Sequence, residues 1–286
     1  MTHDPRTTLA RPDLAAEDLK GTVEAERFVP GHMFRVSSDR TALRRGPDAS
    51  QGMDTVLLHG ERFRVLEIAE GWAWGQAELD GYVGYVTKSH LTNADGYLPT
   101  HRVTSRTAQI YRTPELKVPP VHFLPFGAQV QVTDTQDRYS AIAPNQWIPT
   151  PLLSPLEKPA PDWVAVAESF VGAPYVWGGR SSLGLDCSAL VQLSLQAAGQ
   201  SCPRDSDMQE AQLGETLKKD VPAQRGDVVF WKGHVGIMLT KTRLLHANAH
   251  HMCVAAEPLN AAVKRIDAAG DGPVTRRARL DVAAAK

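Results

Sequence analysis

A cysteine and two histidines in the C-terminal part of the chain have the types and surroundings that cysteine-based catalysis requires. Cys187 lies within SSLGLDCSALVQL, His234 within RGDVVFWKGHVGIML and His246 within RLLHANA. A thiolate is the nucleophilic form of cysteine, an imidazole can take the thiol proton, and a third polar group can hold that imidazole in the right tautomer. We therefore interpret Cys187 as a nucleophile, His234 as its base and His246 as the residue that orients the base.

The element that positions Cys187 is a predicted helix. The run CSALVQLSLQAAGQ begins at Cys187 and closes near Gly199. Free backbone N–H groups and the dipole at a helix N-terminus favour an anion, so the sequence predicts a lowered pKa for this thiol.

The histidines fall on predicted strands. DVVFW, HVGIMLT and RLLHANA have the composition of buried strands, and His234 follows directly after a Lys232-Gly233 turn. His246 lies 12 residues after His234, a separation that lets a hairpin bring the two side chains together. A helix that begins with cysteine, followed by strands that carry histidines, predicts an α+β domain.

Changes of pattern along the chain predict its domains. Residues 1–30 are interpreted as an arm, with a short helix between Ala15 and Phe28. Residues 31–94 alternate like short strands, residues 97–156 repeat that rhythm more weakly, and both are predicted to be small β-barrels. The proline-rich segment from Ser154 to Trp163 is a predicted linker before a domain over residues 160–286. The basic TRRARL near the C-terminus is interpreted as a solvated edge or tail.

Composition excludes several function classes. The 286 residues carry a net charge of -1, so nucleic acid and anionic membranes are not expected partners. No run is long enough to span a membrane, and the first residues lack the apolar core of a signal peptide, which favours the cytoplasm. Three widely spaced cysteines without a CxxC pair indicate neither a disulfide framework nor a zinc site, and no cofactor is expected.

Four blocks together resemble the NlpC family of papain-like cysteine peptidases, which cleave peptides of bacterial cell-wall peptidoglycan. The blocks are GAPYVWGGRSSLGLDCSALVQLSLQAAG, PRDSDMQ, RGDVVFWKGHVGIML and LLHANAH, and the match spans about residues 160–255. Their order and spacing follow the family's, which makes the resemblance specific.

The resemblance implies a papain-like fold, a helix packed on an antiparallel sheet, and a role for each matching residue. Cys187 is implied as the nucleophile, His234 as the base, His246 as the orienting residue and Tyr175 as a donor to the oxyanion. The residues implied to bind substrate are Asp186, Ser188, Asp205 and Ser206.

Two SH3-like barrels before such a domain resemble a branch of cytoplasmic enzymes that recycle cell-wall peptides. That branch cuts between γ-D-glutamate and the diamino acid and demands a free N-terminal L-alanine, which its first barrel helps to enclose. Glu61 in LLHGERF and Tyr82 in DGYVGYV match the places from which the family reaches the substrate amine. The other interpretation of Glu61 is a solvated turn residue, and that of Tyr82 a packed barrel aromatic.

Several alternatives stay open. Related papain-like domains act as amidases, acyltransferases or lipid hydrolases, and SH3-like barrels beside an inactive domain would make a non-catalytic cell-wall binding protein. The cluster of His250, His251 and Cys253 beside His246 matches no familiar zinc spacing, so no metal is expected. The preferred diamino acid, the choice between freed peptide and intact wall, and the oligomeric state do not follow from the sequence.

Overall fold

The computed structural model describes residues 3–282, and the chain divides into two compact units. The units are Met1–Leu156 and Glu157–Lys286. Their boundary falls inside the proline-rich segment, just after the last strand of the first unit ends at Pro155.

The N-terminal arm is extended instead of helical. Strand β1 (Leu14–Ala16) pairs in parallel with β2 (Arg27–Val29), and a 3-10 turn covers Glu17–Leu19. The prediction of a helix between Ala15 and Phe28 is therefore wrong. Leu14 is buried in a cluster with Trp74 of the following barrel, so tertiary packing overrides a weak local preference.

A seven-stranded antiparallel sheet follows, in the order β5-β4-β8-β7-β6-β3-β9. Its strands are β3 (His32–Val36), β4 (Arg40–Arg44), β5 (Thr55–Leu58), β6 (Arg62–Ala69), β7 (Trp72–Ala77), β8 (Val83–Thr87) and β9 (Leu91–Asn93). Alternate residues of β6, such as Phe63 and Val65, point into one buried cluster. This sheet lies within residues 31–94, the range of the predicted first barrel, and is called the first barrel below.

The rest of the first unit forms three small antiparallel sheets, β13-β10-β17, β11-β12 and β14-β15-β16. Their strands are β10 (His101–Val103), β11 (Thr107–Ile110), β12 (His122–Pro125), β13 (Gln129–Val130), β14 (Asp134–Gln136), β15 (Tyr139–Ala143), β16 (Gln146–Pro149) and β17 (Leu153–Pro155). They enclose a separate core that includes Val103, Ile110 and Ile148. Its assignment as a second SH3-like barrel stays a prediction.

The second unit combines helices with a six-stranded antiparallel sheet, ordered β20-β25-β21-β22-β23-β24. The helices are α1 (Trp163–Glu168), α2 (Cys187–Ala197), α3 (Ser206–Gln212) and α4 (Leu259–Ala268). The strands are β18 (Arg180–Ser181), β19 (Gly184–Leu185), β20 (Glu215–Thr216), β21 (Asp227–Trp231), β22 (His234–Met238), β23 (Arg243–Asn248), β24 (Cys253–Pro258) and β25 (Arg276–Arg279). Helix α2 packs against β22 and β23, so the predicted α+β arrangement is confirmed.

The basic segment near the C-terminus is an internal strand. β25 lies between β20 and β21, and Arg279 donates to both carboxylate oxygens of the buried Asp227 at 2.8 Å. The prediction of a solvated edge or tail is therefore wrong. Arginine can lie in an internal strand when its guanidinium is paired with a carboxylate and its aliphatic stem packs on neighbouring side chains.

The helices in residues 3–282 are short. The longest, α2, has 11 residues, and none in this range is long and apolar enough to cross a bilayer.

Candidate active site

The N-terminus of α2 holds Cys187, and the preceding Asp186 caps the helix. The Asp186 carboxylate accepts a hydrogen bond from the Ala189 amide at 2.9 Å, which satisfies one of the free donors at the helix start. Nearly every residue of α2 is buried, and the chain leaves the helix at Gly199, whose φ of 76° suits glycine. A rigid, enclosed helix therefore fixes the position of the thiol.

The thiol of Cys187 is buried, with 7% of the residue exposed. Burial raises its pKa to about 12, the Asp186 charge adds to this rise, and backbone donors from Val235 and Ser188 oppose it. The prediction of a lowered pKa is therefore wrong, because desolvation outweighs the effect of the helix N-terminus. Because the Val235 amide donates to it, the thiol lies beside the residue that follows His234 in β22.

The side chains of His234 and His246 are hydrogen-bonded to each other. His234 begins β22, and its Nε2 lies 2.8 Å from Nδ1 of His246 on β23. In the register of these strands Ile237 faces Leu245, so His246 falls diagonally across from His234 on the same face. His246 is fully buried, which leaves its ring little freedom to turn. The structure thus places the predicted orienting residue against the predicted base.

Beyond His246 the bonds continue to two residues that the sequence reasoning missed. Nε2 of His246 lies 2.8 Å from Oε1 of Glu257 on β24, and Arg265 of α4 donates to the same carboxylate oxygen. Burial acts to raise the pKa of Glu257, but the hydrogen bonds from His246 and Arg265 outweigh it, and the pKa lies below its usual value. Glu257 is therefore ionised at neutral pH.

A third missed residue, Arg204, is buried next to the nucleophile. It donates to Oδ1 and Oδ2 of Asp186 at 3.0 and 2.7 Å and to Oγ of Ser188 at 2.9 Å. Such a two-point guanidinium–carboxylate contact is among the strongest in proteins. The arginine stands beside Asp205 in the PRDSDMQ block, so its position in that block was the available signal.

The other predicted site residues of the second unit lie on neighbouring elements. Tyr175 is half-buried and its pKa is raised by burial and by the nearby Cys187 and Asp186, so its hydroxyl keeps the proton that an oxyanion donor needs. Asp205 and Ser206 begin α3, which packs against α2 and β22. The catalytic and binding roles of these residues stay predictions.

The two residues predicted in the first unit are both buried there. Oε2 of Glu61 accepts from the Leu58 amide at 3.0 Å, and Tyr82 belongs to the core of the first barrel. Glu61 is thus a buried turn acceptor instead of a solvated turn residue, and Tyr82 packs as a barrel aromatic. Their contact with substrate stays a prediction.

Three side chains in the second unit are close enough to share a cation. The ligand atoms of His246, His251 and Glu257 lie within 4.8 Å of one another. His251 already bonds to Asn248, and Arg265 places a positive charge on Glu257, which opposes a further cation there. The expectation that the site uses no metal stays a prediction.

We expect the acid limb of activity to lie well below the pH at which free histidine titrates. Burial and the neighbouring His246 and Arg265 lower the pKa of His234 to about 3. A base works only when neutral, so kcat/KM should change by less than about twofold as the pH falls from about 7 to about 5. Initial rates over this range, with circular dichroism as a control for unfolding, check the expectation. An acid limb centred near pH 6.5, the value of free histidine, would contradict it.

The chain matches two protein families. Residues 172–266 match the NlpC/P60 family, and residues 43–91 match the bacterial dipeptidyl-peptidase Sh3 domain. The first match contains Cys187, His234, His246 and Glu257, and the second lies within the first barrel.

Curated relatives extend over most of the chain. Dipeptidyl-peptidase 6 of Lysinibacillus sphaericus is 25% identical over 225 residues, which cover 71% of this chain and 82% of that protein. A gamma-D-glutamyl-L-lysine dipeptidyl-peptidase of Bacillus cereus is 26% identical over 245 residues, which cover 73% of this chain and 71% of that protein. The likeness therefore includes both units.

A solved structure shows the same fold. An NlpC/P60 family protein from Bacillus cereus superposes with a TM-score of 0.73 and 19% identity, covering 87% of this chain and 99% of that one. At 19% identity the superposition supports the fold only. The evidence for the chemistry comes from the family match and from the geometry of the site.

Proposed function

We propose that this chain, a cysteine peptidase of the NlpC/P60 type with a bacterial SH3 domain, hydrolyses the γ-D-glutamyl–L-diamino acid bond of cell-wall peptides. The peptidase class comes from the family match over residues 172–266 and from relatives named as dipeptidyl-peptidases. The specific bond, the demand for a free N-terminal L-alanine and a role in recycling wall peptides are the proposal.

One observation supports the proposal most strongly. His234 is hydrogen-bonded to His246 and directly precedes Val235, whose backbone amide donates to Cys187 at the start of α2. The chain also resembles two γ-D-glutamyl-L-lysine dipeptidyl-peptidases over about two thirds or more of its length. A nucleophile, a base and an orienting group in one enclosed place are the parts that acyl transfer needs.

Acylation begins with a neutral thiol and a neutral imidazole, since burial disfavours the charged form of both groups. Nε2 of His234 is occupied by His246, so Nδ1 is the ring nitrogen that takes the proton of Cys187. As the proton leaves, Sγ attacks the carbonyl carbon of the scissile amide. The Tyr175 hydroxyl and the backbone amide of Cys187 are the donors that we assign to the resulting oxyanion.

The tetrahedral intermediate collapses when the carbon–nitrogen bond breaks. Protonated His234 gives its proton to the leaving amine, which is the amino group of the diamino acid, and a thioester remains on Cys187. His234 then removes a proton from a water molecule that attacks the thioester. Release of the γ-glutamyl carboxylate restores the thiol.

We expect the enzyme to discriminate strongly against a blocked amine. A blocked amine cannot donate to the buried acceptors at the closed end of the cleft. Each acceptor left without a partner costs about 1–3 kcal/mol of binding free energy. Acetylation of the N-terminus of L-Ala-γ-D-Glu-diaminopimelate should therefore lower kcat/KM by about 10-fold or more. Parallel rate measurements on the free and acetylated peptides check this.

The same assay separates the alternatives. Equal rates on both peptides would indicate an open cleft suited to intact wall, and would contradict the proposed amine requirement. Turnover of an ester substrate with no cleavage of either peptide would instead favour the amidase, acyltransferase or lipid hydrolase activities of related domains.

We extend the proposal to the cytoplasm. Cys187, Cys202 and Cys253 are all free thiols, the state that a reducing compartment preserves. A freed wall peptide would be the substrate available there. Recovery of the protein from the cell wall on fractionation would contradict this location.

A further inference from the structure

We infer that Glu257 is a positioning residue that fixes the tautomers of both histidines, so that His234 presents a bare Nδ1 to Cys187. Arg265 is its partner and holds the carboxylate in place. The inference depends on the cysteine-peptidase chemistry and is independent of which peptide is cut. Neither residue was among the sequence-predicted site residues.

Glu257 is the acceptor at the far end of the hydrogen-bonded series that begins at His234. An ionised carboxylate can only accept hydrogen bonds, and Oε1 of Glu257 lies 2.8 Å from Nε2 of His246. Nε2 of His246 must therefore carry a hydrogen. In a neutral imidazole the other nitrogen is then bare, so Nδ1 of His246 can only accept.

The tautomer of His246 determines the tautomer of His234, the base. Nδ1 of His246 lies 2.8 Å from Nε2 of His234, and one of these two nitrogens must donate. Since His246 accepts, His234 donates from Nε2. Its Nδ1 consequently has a free lone pair, which is the state a general base requires.

Glu257 is well held for this task. Residues His246 and Ala255 are paired across β23 and β24, so Glu257 lies diagonally across from His246 on the same face of the sheet. Its side chain is only 12% exposed, and Arg265 reaches it from α4. A guanidinium is always protonated, so Arg265 keeps the shared oxygen an acceptor.

Without Glu257, no acceptor favours the tautomer of His246 that carries its hydrogen on Nε2. With no acceptor at Nε2, His246 can carry its hydrogen on Nδ1 and donate to His234. His234 would then hold its own hydrogen on Nδ1, facing the nucleophile, and could not take the thiol proton. Glu257→Ala should therefore populate a form that is inactive as a base, while Glu257→Gln keeps an oxygen that Arg265 can hold toward His246.

The first test is long-range proton–nitrogen NMR of the wild-type protein, which reports the tautomer of each histidine directly and needs no substrate. We expect His234 and His246 both to carry hydrogen on Nε2 at neutral pH. Hydrogen on Nδ1 of His234 would overturn the inference, whatever the enzyme proves to cut.

The second test is the rate at which iodoacetamide alkylates each cysteine, read by peptide mass spectrometry. Proton transfer to the base activates Cys187, so Glu257→Ala should slow its alkylation about 10-fold or more, and Glu257→Gln should lie between this variant and wild type. Cys253 on β24 is an internal control whose rate should stay constant, and the buried Cys202 reports unfolding if it becomes reactive. Unchanged alkylation of Cys187 in a folded Glu257→Ala protein would overturn the inference.

Discussion

Replacement of Cys187 by alanine is expected to lower kcat/KM on a γ-D-glutamyl peptide by at least about 10³-fold, because no other group supplies the nucleophile. The small side chain removes one buried sulfur atom and leaves the Asp186 cap of α2 intact, so the fold should persist. Initial rates and circular dichroism of the purified variant check both parts.

Cys253→Ala is the matched control for this variant. Cys253 is also a free thiol of the second unit. It begins β24, lies opposite Asn248 of β23 in the strand register, and takes part in no proposed catalytic step. It should retain nearly full activity. A loss of less than about 10³-fold in Cys187→Ala, after subtraction of the rate of a mock purification, would contradict the assignment of the nucleophile.

Of the substitutions proposed, Arg204→Met is expected to cause the largest loss of stability in the second unit. Arg204 is 1% exposed and holds both carboxylate oxygens of Asp186. Removing one partner of a buried ion pair leaves the other charge uncompensated, which costs about 3–5 kcal/mol in the free energy of unfolding. Urea denaturation, followed by hydrogen exchange of α2 peptides, measures the loss in the second unit.

The double variant Arg204→Met/Asp186→Asn is the control for charge burial. Asparagine still caps a helix, so this pair removes both charges while keeping the α2 N-cap. It should recover part of the stability lost in Arg204→Met alone. A double variant less stable than the single one would show that the charge of Asp186 is not what Arg204 compensates.

The fold of the second unit was largely predictable from local pattern. The boundaries of α2 and of the strands that carry His234 and His246 follow from an N-cap, a glycine and apolar runs close together in sequence. β25 was missed because its strand neighbour β21 lies about 50 residues earlier, and four residues rich in arginine have no strand pattern of their own.

The site was predictable only in part for a related reason. Cys187 and the histidines stand in recognisable blocks, whereas Glu257 acquires its role from the register of β23 and β24. A shift of one residue would turn its side chain to the other face, and nothing local in the sequence specifies that register. The raised pKa of Cys187 was missed because the helix N-terminus is visible in the sequence and the depth of burial is not.

Mass spectrometry of the products from L-Ala-γ-D-Glu-diaminopimelate, with the Cys187→Ala protein run in parallel, is the decisive test of γ-D-glutamyl peptidase activity. The wild-type protein should release L-Ala-D-Glu and free diaminopimelate, and the variant should leave the peptide intact. Release of free L-alanine, equal cleavage by the variant, or an intact peptide in the presence of wild-type protein would contradict this expectation.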